Sequence, residues 1–266
     1  MSTTKCIVVF PVYKSLSDRE IVFFEQALRM TSAFDHVFVV PQSFVADSTF
    51  DKFDCKFVRF PDLYFETITG YNLLMLSSEF YSTFRDYEYM LVHQADVYLF
   101  RPELEKWCDK GYDYIGAPWL KPSKRNKASF YKFILKYVPF CYSAHKRKVM
   151  ELYDNVGNGG LSLRKIDTFI NTLDMPQAQS ILSLYKERLK TDTLYNEDIF
   201  WSVEAPRINR HFRKPDWQEA LPFSVETHAA YAYDYMGQQL PFGSHAPEKY
   251  EPEFWDNFIR YEEEVK

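Results

Sequence analysis

Short apolar runs alternate with longer stretches of helical periodicity along the first part of the chain, and this alternation sets the first structural expectation. Lys5 to Tyr13, KCIVVFPVY, reads as a buried strand closed by Pro11. Asp18 then opens a segment in which Ile21, Phe23, Phe24, Ala27, Leu28 and Met30 are spaced for one face of an amphipathic helix. His36 to Pro41 and Cys55 to Phe60 supply a second and a third short strand. A strand, a helix and another strand make a crossover unit, and such units build parallel sheets with right-handed connections. The expected class is therefore α/β, a mostly parallel central sheet flanked by helices.

The next stretches carry the candidate chemistry. Leu73, Leu74, Leu76, Phe80, Tyr81 and Phe84 recur at helical spacing and predict a helix entering the central segment, Tyr87 to Phe100. There an apolar strand, Met90-Leu91-Val92, runs into the polar break His93-Gln94-Ala95-Asp96 and returns to Val97-Tyr98-Leu99-Phe100. A carboxylate ending a buried parallel strand sits at the carboxyl edge of the sheet, where open α/β sheets present ligands. It must there be paired, bound to metal or protonated, unless it simply caps a strand-to-loop turn. Asp113 to Trp119, DYIGAPW, reads as a short strand ending in a Gly/Pro turn. In Val156 to Arg164, VGNGGLSLR, Gly157, Gly159 and Gly160 imply a backbone that bends sharply or admits a ligand closely, followed at once by a strand. A tight hairpin explains the glycines as well. Glu197 and Asp198 open an aromatic helix, where acids also complement the helix dipole. His245 and Lys249 follow a Pro-Phe-Gly turn, and Glu251 to Lys266 reads as an acidic C-terminal helix.

Composition narrows the class of function. With 266 residues and 46% hydrophobic content, the chain can bury the core of one large domain. No apolar run approaches the roughly 20 residues that span a bilayer, and the start runs straight into a strand with no apolar leader. Cys6, Cys55, Cys108 and Cys141 stand singly, which suits reduced thiols rather than a disulfide frame or zinc site. These features set a cytoplasmic expectation. Net charge is -5, yet Tyr114 to Met150 holds no acid while Lys121, Lys124, Arg125, Lys127, Lys132, Lys136, Lys146, Arg147 and Lys148 cluster there. Interleaved with aromatics, this run is expected to form a basic helical insertion at about 120–150. It would either pack its aromatics inward or bring the protein to an anionic membrane surface, on the inner face of the membrane. Nucleic acid is not expected as a partner, since no binding module surrounds the patch and the chain is acidic. No Gly-rich phosphate loop is present.

The central segment resembles the Asp-x-Asp element of nucleotide-sugar glycosyltransferases of the GT-A fold, with Gln94 in place of the first carboxylate and Asp96 matching the last. The Tyr-Ile-Gly-Ala-Pro-Trp segment, Tyr114 to Trp119, is similar to one found in GT-A-like proteins associated with bacterial surface polysaccharides. The Asn-Gly-Gly of Asn158, Gly159 and Gly160, the Glu197-Asp198 pair and the terminal His245 and Lys249 follow in the family's order. The resemblance thus spans Lys5 to Lys249 and implies a single GT-A-like domain over residues 1–266. It implies donor contacts from Pro11, Tyr13, Asn72, Gln94, Asp96 and Lys249, with Tyr71 beside Asn72 near the nucleoside. Acceptor contacts would come from Trp119, Asn158, Gly159, Gly160 and Glu197. Asp96 and His245 would hold Mn²⁺ or Mg²⁺, and Asp198 would act as general base.

The implied function is a hexosyl-type transfer from a nucleoside diphosphate sugar to a hydroxyl of a lipid-linked or polysaccharide acceptor. Such chemistry needs stabilisation of a diphosphate leaving group and removal of a proton from the attacking hydroxyl. Asp198 suits an inverting displacement. A retaining enzyme on the same fold is the near alternative, and a non-catalytic carbohydrate-binding protein, rich in aromatic faces, is the alternative from another class.

Overall fold

The computed structural model describes residues 4–121 and 144–261. Most of the basic run, with its proposed membrane contact, lies outside the described residues, as does the end of the expected C-terminal helix. Six strands form the main sheet in the order β3-β2-β1-β4-β7-β6. They are β1 (Thr4–Pro11), β2 (Asp35–Pro41), β3 (Lys56–Phe60), β4 (Tyr87–His93), β6 (Tyr114–Pro118) and β7 (Val156–Lys165). β1, β2, β3 and β4 run parallel, while β7 is antiparallel to both β4 and β6. A second, three-stranded sheet joins β5 (Val97–Leu99), β9 (Gly243–His245) and β8 (Ser224–Val225) in that order.

The apolar strands are buried on both faces, which is why they read as continuous hydrophobic runs. In β1, Ile7 and Val9 face one core cluster and Cys6, Val8 and Phe10 the other, as strand alternation requires. The second face is covered by α1 (Asp18–Met30), whose Phe24 and Ala27 are fully buried. Its start is fixed by a capping box in which the Ser17 hydroxyl and the Glu20 carboxylate satisfy each other's backbone. The first face is covered by α2 (Ile68–Met75), α3 (Ser78–Ser82) and the helices Ile166–Asp174 and Pro176–Arg188. The single helix expected ahead of β4 is thus two, because the Ser77 side chain caps a fresh start at Phe80 N. The glycine-rich stretch is not a turn: Gly157, Gly159 and Gly160 lie within β7, where the pairing with β6 shifts register. Among the described residues the acidic C-terminal segment is one short helix, Pro252–Trp255, rather than a long one.

β1 connects outward to β2 on one side and, after β3, the chain returns to lay β4 on the other. Ligands of open α/β sheets sit in the crevice outside such a switch point, and here that crevice lies beyond Pro11 and His93. Phe169 secures the opposite layer by stacking on Trp201, ring centroids 3.8 Å apart, with both side chains fully buried. Phe169→Ala is expected to lower unfolding free energy by about 3–5 kcal/mol, read as a fall in the urea midpoint with unchanged slope.

Candidate active site

A cavity of about 770 Å³ opens at the carboxyl ends of β1 and β4. Its walls come from the loop after β1 (Val12, Tyr13, Lys14), the approach to α2 (Phe65, Glu66, Thr67), the β4 end (Gln94, Ala95, Asp96), the β7 glycines and the Asn196-Glu197-Asp198 turn, with His245 and Lys249 beyond. Residues far apart in sequence meet here because the second sheet docks on the first at this edge.

One end of the cavity is charged. β9 pairs with β5 so that His245 lies opposite Val97, and the Ala246 amide donates to Asp96 O at 2.8 Å. This register places His245 Nε2 3.4 Å from Asp96 Oδ1. On the other side of the ring, Nδ1 lies 3.1 Å from Glu226 Oε1. Burial would drive the imidazole pKa down, but Asp96 and Glu226 outweigh it and push it up to about 9. Burial would likewise raise the Asp96 carboxyl, and the His245 ring beside it holds it below its usual range instead. Gly160 explains how the ring fits, since a Cβ there would overlap the imidazole. Lys249 extends from the same end, its ammonium 4.8 Å from the Tyr250 ring centroid.

Asp96 Oδ1 and His245 Nε2 are spaced much as neighbouring donors on one octahedral cation, which lie roughly 3 Å apart for metal–oxygen bonds of about 2.1 Å. The donor set, one carboxylate oxygen and one imidazole nitrogen, fits Mn²⁺ or Mg²⁺ when ligand oxygens and water complete the shell. Among the described residues no group of three or more His, Cys, Asp or Glu side chains converges as a metal site.

The opposite wall rests on a buried ion pair. Arg164, in β7, is fully buried and donates to Glu197 through Nη2 to Oε1 at 2.8 Å and Nη1 to Oε2 at 3.1 Å. It also donates to the Tyr81 hydroxyl at 2.8 Å and the Ser162 hydroxyl at 2.9 Å. Burial alone would lower the guanidinium pKa; Glu197, Tyr81 and Tyr114 reverse this and hold it well above normal. Asn72 completes the arrangement, accepting the Glu197 amide at 2.6 Å and donating to Ile68 O at 2.7 Å. Asp198, next along, accepts its neighbour's amide, Ile199 N at 2.8 Å, and lines the cavity. Burial and the adjacent Glu197 carboxylate push its pKa up to about 8.

Of the residues expected from the sequence, Pro11, Tyr13, Asn72, Gln94, Asp96, Asn158, Gly159, Gly160, Glu197, Asp198, His245 and Lys249 all line this cavity, as does Tyr71. Trp119 is not among the residues that line it; its ring packs by Gly157 in a small apolar cluster with Leu194, Ile199 and Val203. Glu197 pairs with Arg164, and Asn72 bonds the backbone at Glu197 and Ile68. Arg164 and Glu226 were missed. A charged residue inside an apolar strand, as in Leu161 to Arg164, was the available signal for the first; the second stands in SVETH with no spacing that links it to His245.

The sheet order and the crevice at its switch point define a GT-A-type α/β fold. Mouse xyloside xylosyltransferase 1, in its apo form, superposes with a TM-score of 0.51 at 13% identity, covering 91% of this chain and 96% of that one. An active-site mutant of LgtC gives a TM-score of 0.49 at 15% identity, covering 90% and 86%. A glycosyltransferase involved in glycosylation of the major capsid of PBCV-1 gives 0.45 at 10% identity, covering 95% and 98%. The chain belongs to the family described as "Protein of unknown function (DUF5672)", whose family model matches residues 54–245. No curated protein sequence matches it.

The ion pair yields a stability prediction. Arg164→Met leaves the Glu197 carboxylate buried without its partner and is expected to cost about 3–5 kcal/mol. Arg164→Met combined with Glu197→Gln removes both charges and is expected to recover part of that loss, as measured by chemical denaturation of both variants.

Proposed function

We propose that this protein is a glycosyltransferase that moves a sugar from a nucleoside diphosphate sugar to a hydroxyl acceptor. The observation that carries the reading is that one cavity gathers two sets of groups with different chemistry. Asp96, His245 and Lys249 are one set, and Asp198, a carboxyl of raised pKa, is the other. A diphosphate leaving group requires countercharge, and an attacking hydroxyl requires a proton acceptor.

In the first set, Asp96 and His245 would hold a divalent cation, Mn²⁺ or Mg²⁺, and Lys249 would meet the diphosphate directly. When bound, that cation supplies Lewis-acid stabilisation of charge developing on the leaving diphosphate. Pro11, Tyr13 and Gln94 line the same side and would position the donor, with Tyr13, 59% exposed, offering a ring face at the mouth. In the same cavity, the Asp198 carboxylate would take the proton of the acceptor hydroxyl, while Asn158, Gly159 and Gly160 border the space for the acceptor. Glu197 is excluded from this role because both its oxygens already accept from Arg164. A base at this position favours single inverting displacement. The proposal of a lipid-linked or polysaccharide acceptor rests on the basic, aromatic run from Lys121 to Lys148. No helix among the described residues is long and apolar enough to cross a membrane.

Asp198→Asn keeps the side chain's size but cannot take up a proton, so transfer is expected to fall about 10²- to 10⁴-fold while calorimetric binding of nucleoside diphosphate stays near wild type. With a pKa of about 8 the carboxyl is mostly protonated at pH 7, so transfer is expected to rise as pH climbs through that value and then level off. Near-normal turnover by Asp198→Asn would remove it as the base, and the anomeric configuration of the product would then separate an inverting reaction using another carboxylate from a retaining one. Chelator is expected to abolish donor binding, and Asp96→Asn to weaken it; full activity in excess chelator would shift diphosphate neutralisation onto Lys249.

A further inference from the structure

The His245 ring is held on three sides. Its Nε2 faces Asp96, its Cδ2, Nε2 and Cε1 atoms fill the space a Cβ at Gly160 would take, and its Nδ1 meets a carboxylate from a third segment, Glu226, which directly follows β8. Glu226 is itself sheltered, its side chain 13% exposed, against 51% for Asp96. A sheltered carboxylate aimed at a ring nitrogen is not needed for the fold of the β8–β9 pair, whose backbone register, Ser224 with Gly243 and Val225 with Ser244, is made without it. It does have one clear chemical effect. When a cation displaces the Nε2 proton, a carboxylate accepting from Nδ1–H holds the imidazole as the tautomer whose lone pair is on Nε2, the nitrogen that faces Asp96 and the cavity. It also raises the donor strength of that lone pair and stops rotation of the ring.

We propose that Glu226 is a positioning residue for the cation end of the cavity, selecting the Nε2-donor tautomer of His245 and orienting it beside Asp96. The inference rests on the reading of Asp96 and His245 as cation ligands, and extends it to a residue with no direct contact to the ion. It also assigns a reason for Gly160. The ring pinned by Glu226 occupies the volume that any side chain at that strand position would fill, so the glycine and the carboxylate serve one geometry.

The test uses Mn²⁺ itself as probe, with the full chain and no sugar donor. Mn²⁺ affinity is measured by titration with electron paramagnetic resonance detection, and ¹⁴N modulation in the pulsed spectrum reports whether an imidazole nitrogen is bound. Wild type is expected to bind Mn²⁺ with a nitrogen signal, and His245→Ala to lose that signal. Glu226→Ala is expected to bind roughly 10- to 100-fold more weakly with the signal reduced or lost. Glu226→Gln, whose amide oxygen can still accept from Nδ1–H, is expected to fall between, and this partial rescue separates positioning from mere loss of packing. If wild type and His245→Ala bind alike, the cation-ligand reading itself fails. If His245→Ala loses the nitrogen signal but Glu226→Ala keeps wild-type affinity and signal, the ligand reading stands and the role given to Glu226 is overturned. Circular dichroism melts of each variant identify any that has not folded, and for such a variant Glu226→Gln alone decides.

Discussion

A guanidinium enclosed by an apolar interior must be met by a charge, and for Arg164 that charge is Glu197. The pair joins the antiparallel strand β7 to the turn that carries Asp198, and through Tyr81 and Ser162 it ties in α3 and the strand's own backbone. Because the carboxylate is held in two places by the guanidinium, Glu197 cannot swing into the cavity, and the next residue, Asp198, is the carboxyl that faces it. The same arrangement accounts for the raised pKa of Asp198, which sits in a sheltered wall beside a fixed negative charge. Paired carboxylates in adjacent positions thus receive opposite fates from environment alone: one structural and ionised against arginine, the other available for proton transfer.

The other end of the cavity depends on a pairing between sheets. β5 is only three residues long, yet its register with β9 brings the C-terminal His245 to the carboxylate that ends the β4 break. A slip of one residue would turn His245 to the opposite face of the small sheet. Gly160 and Gly243 permit the approach, since a Cβ at Gly160 would strike the imidazole and one at Gly243 would strike Leu161 and Leu99.

Much of the architecture was legible because strands buried on both faces leave unbroken apolar runs, and β1, β2 and β4 carry them. Asp96 was legible for the same reason: a carboxylate interrupting such a run has few places to go. The second helix start at Ser77 was less so, since the apolar spacing continues across it from Leu76 to Phe80 and only a capping hydroxyl marks the break. The strand character of Gly157 to Gly160 was hidden because glycine reads locally as a turn, whereas here it answers to neighbours from other segments, Glu197 against Gly159 and His245 against Gly160. Trp119, expected from the resemblance as an acceptor contact, packs its ring beside Gly157 among apolar partners. Glu226 and Arg164 act through tertiary neighbours, and no local period or spacing reveals such a role.

The central claim is that this cavity separates a sugar from a nucleoside diphosphate. Incubating the full chain with a panel of nucleotide sugars and Mn²⁺, without acceptor, and resolving the released nucleotide by chromatography tests it most directly. Slow release of nucleoside diphosphate from one donor, dependent on the cation, is the expected result. Release of monophosphate or pyrophosphate, or no turnover and no binding of any donor, would contradict it.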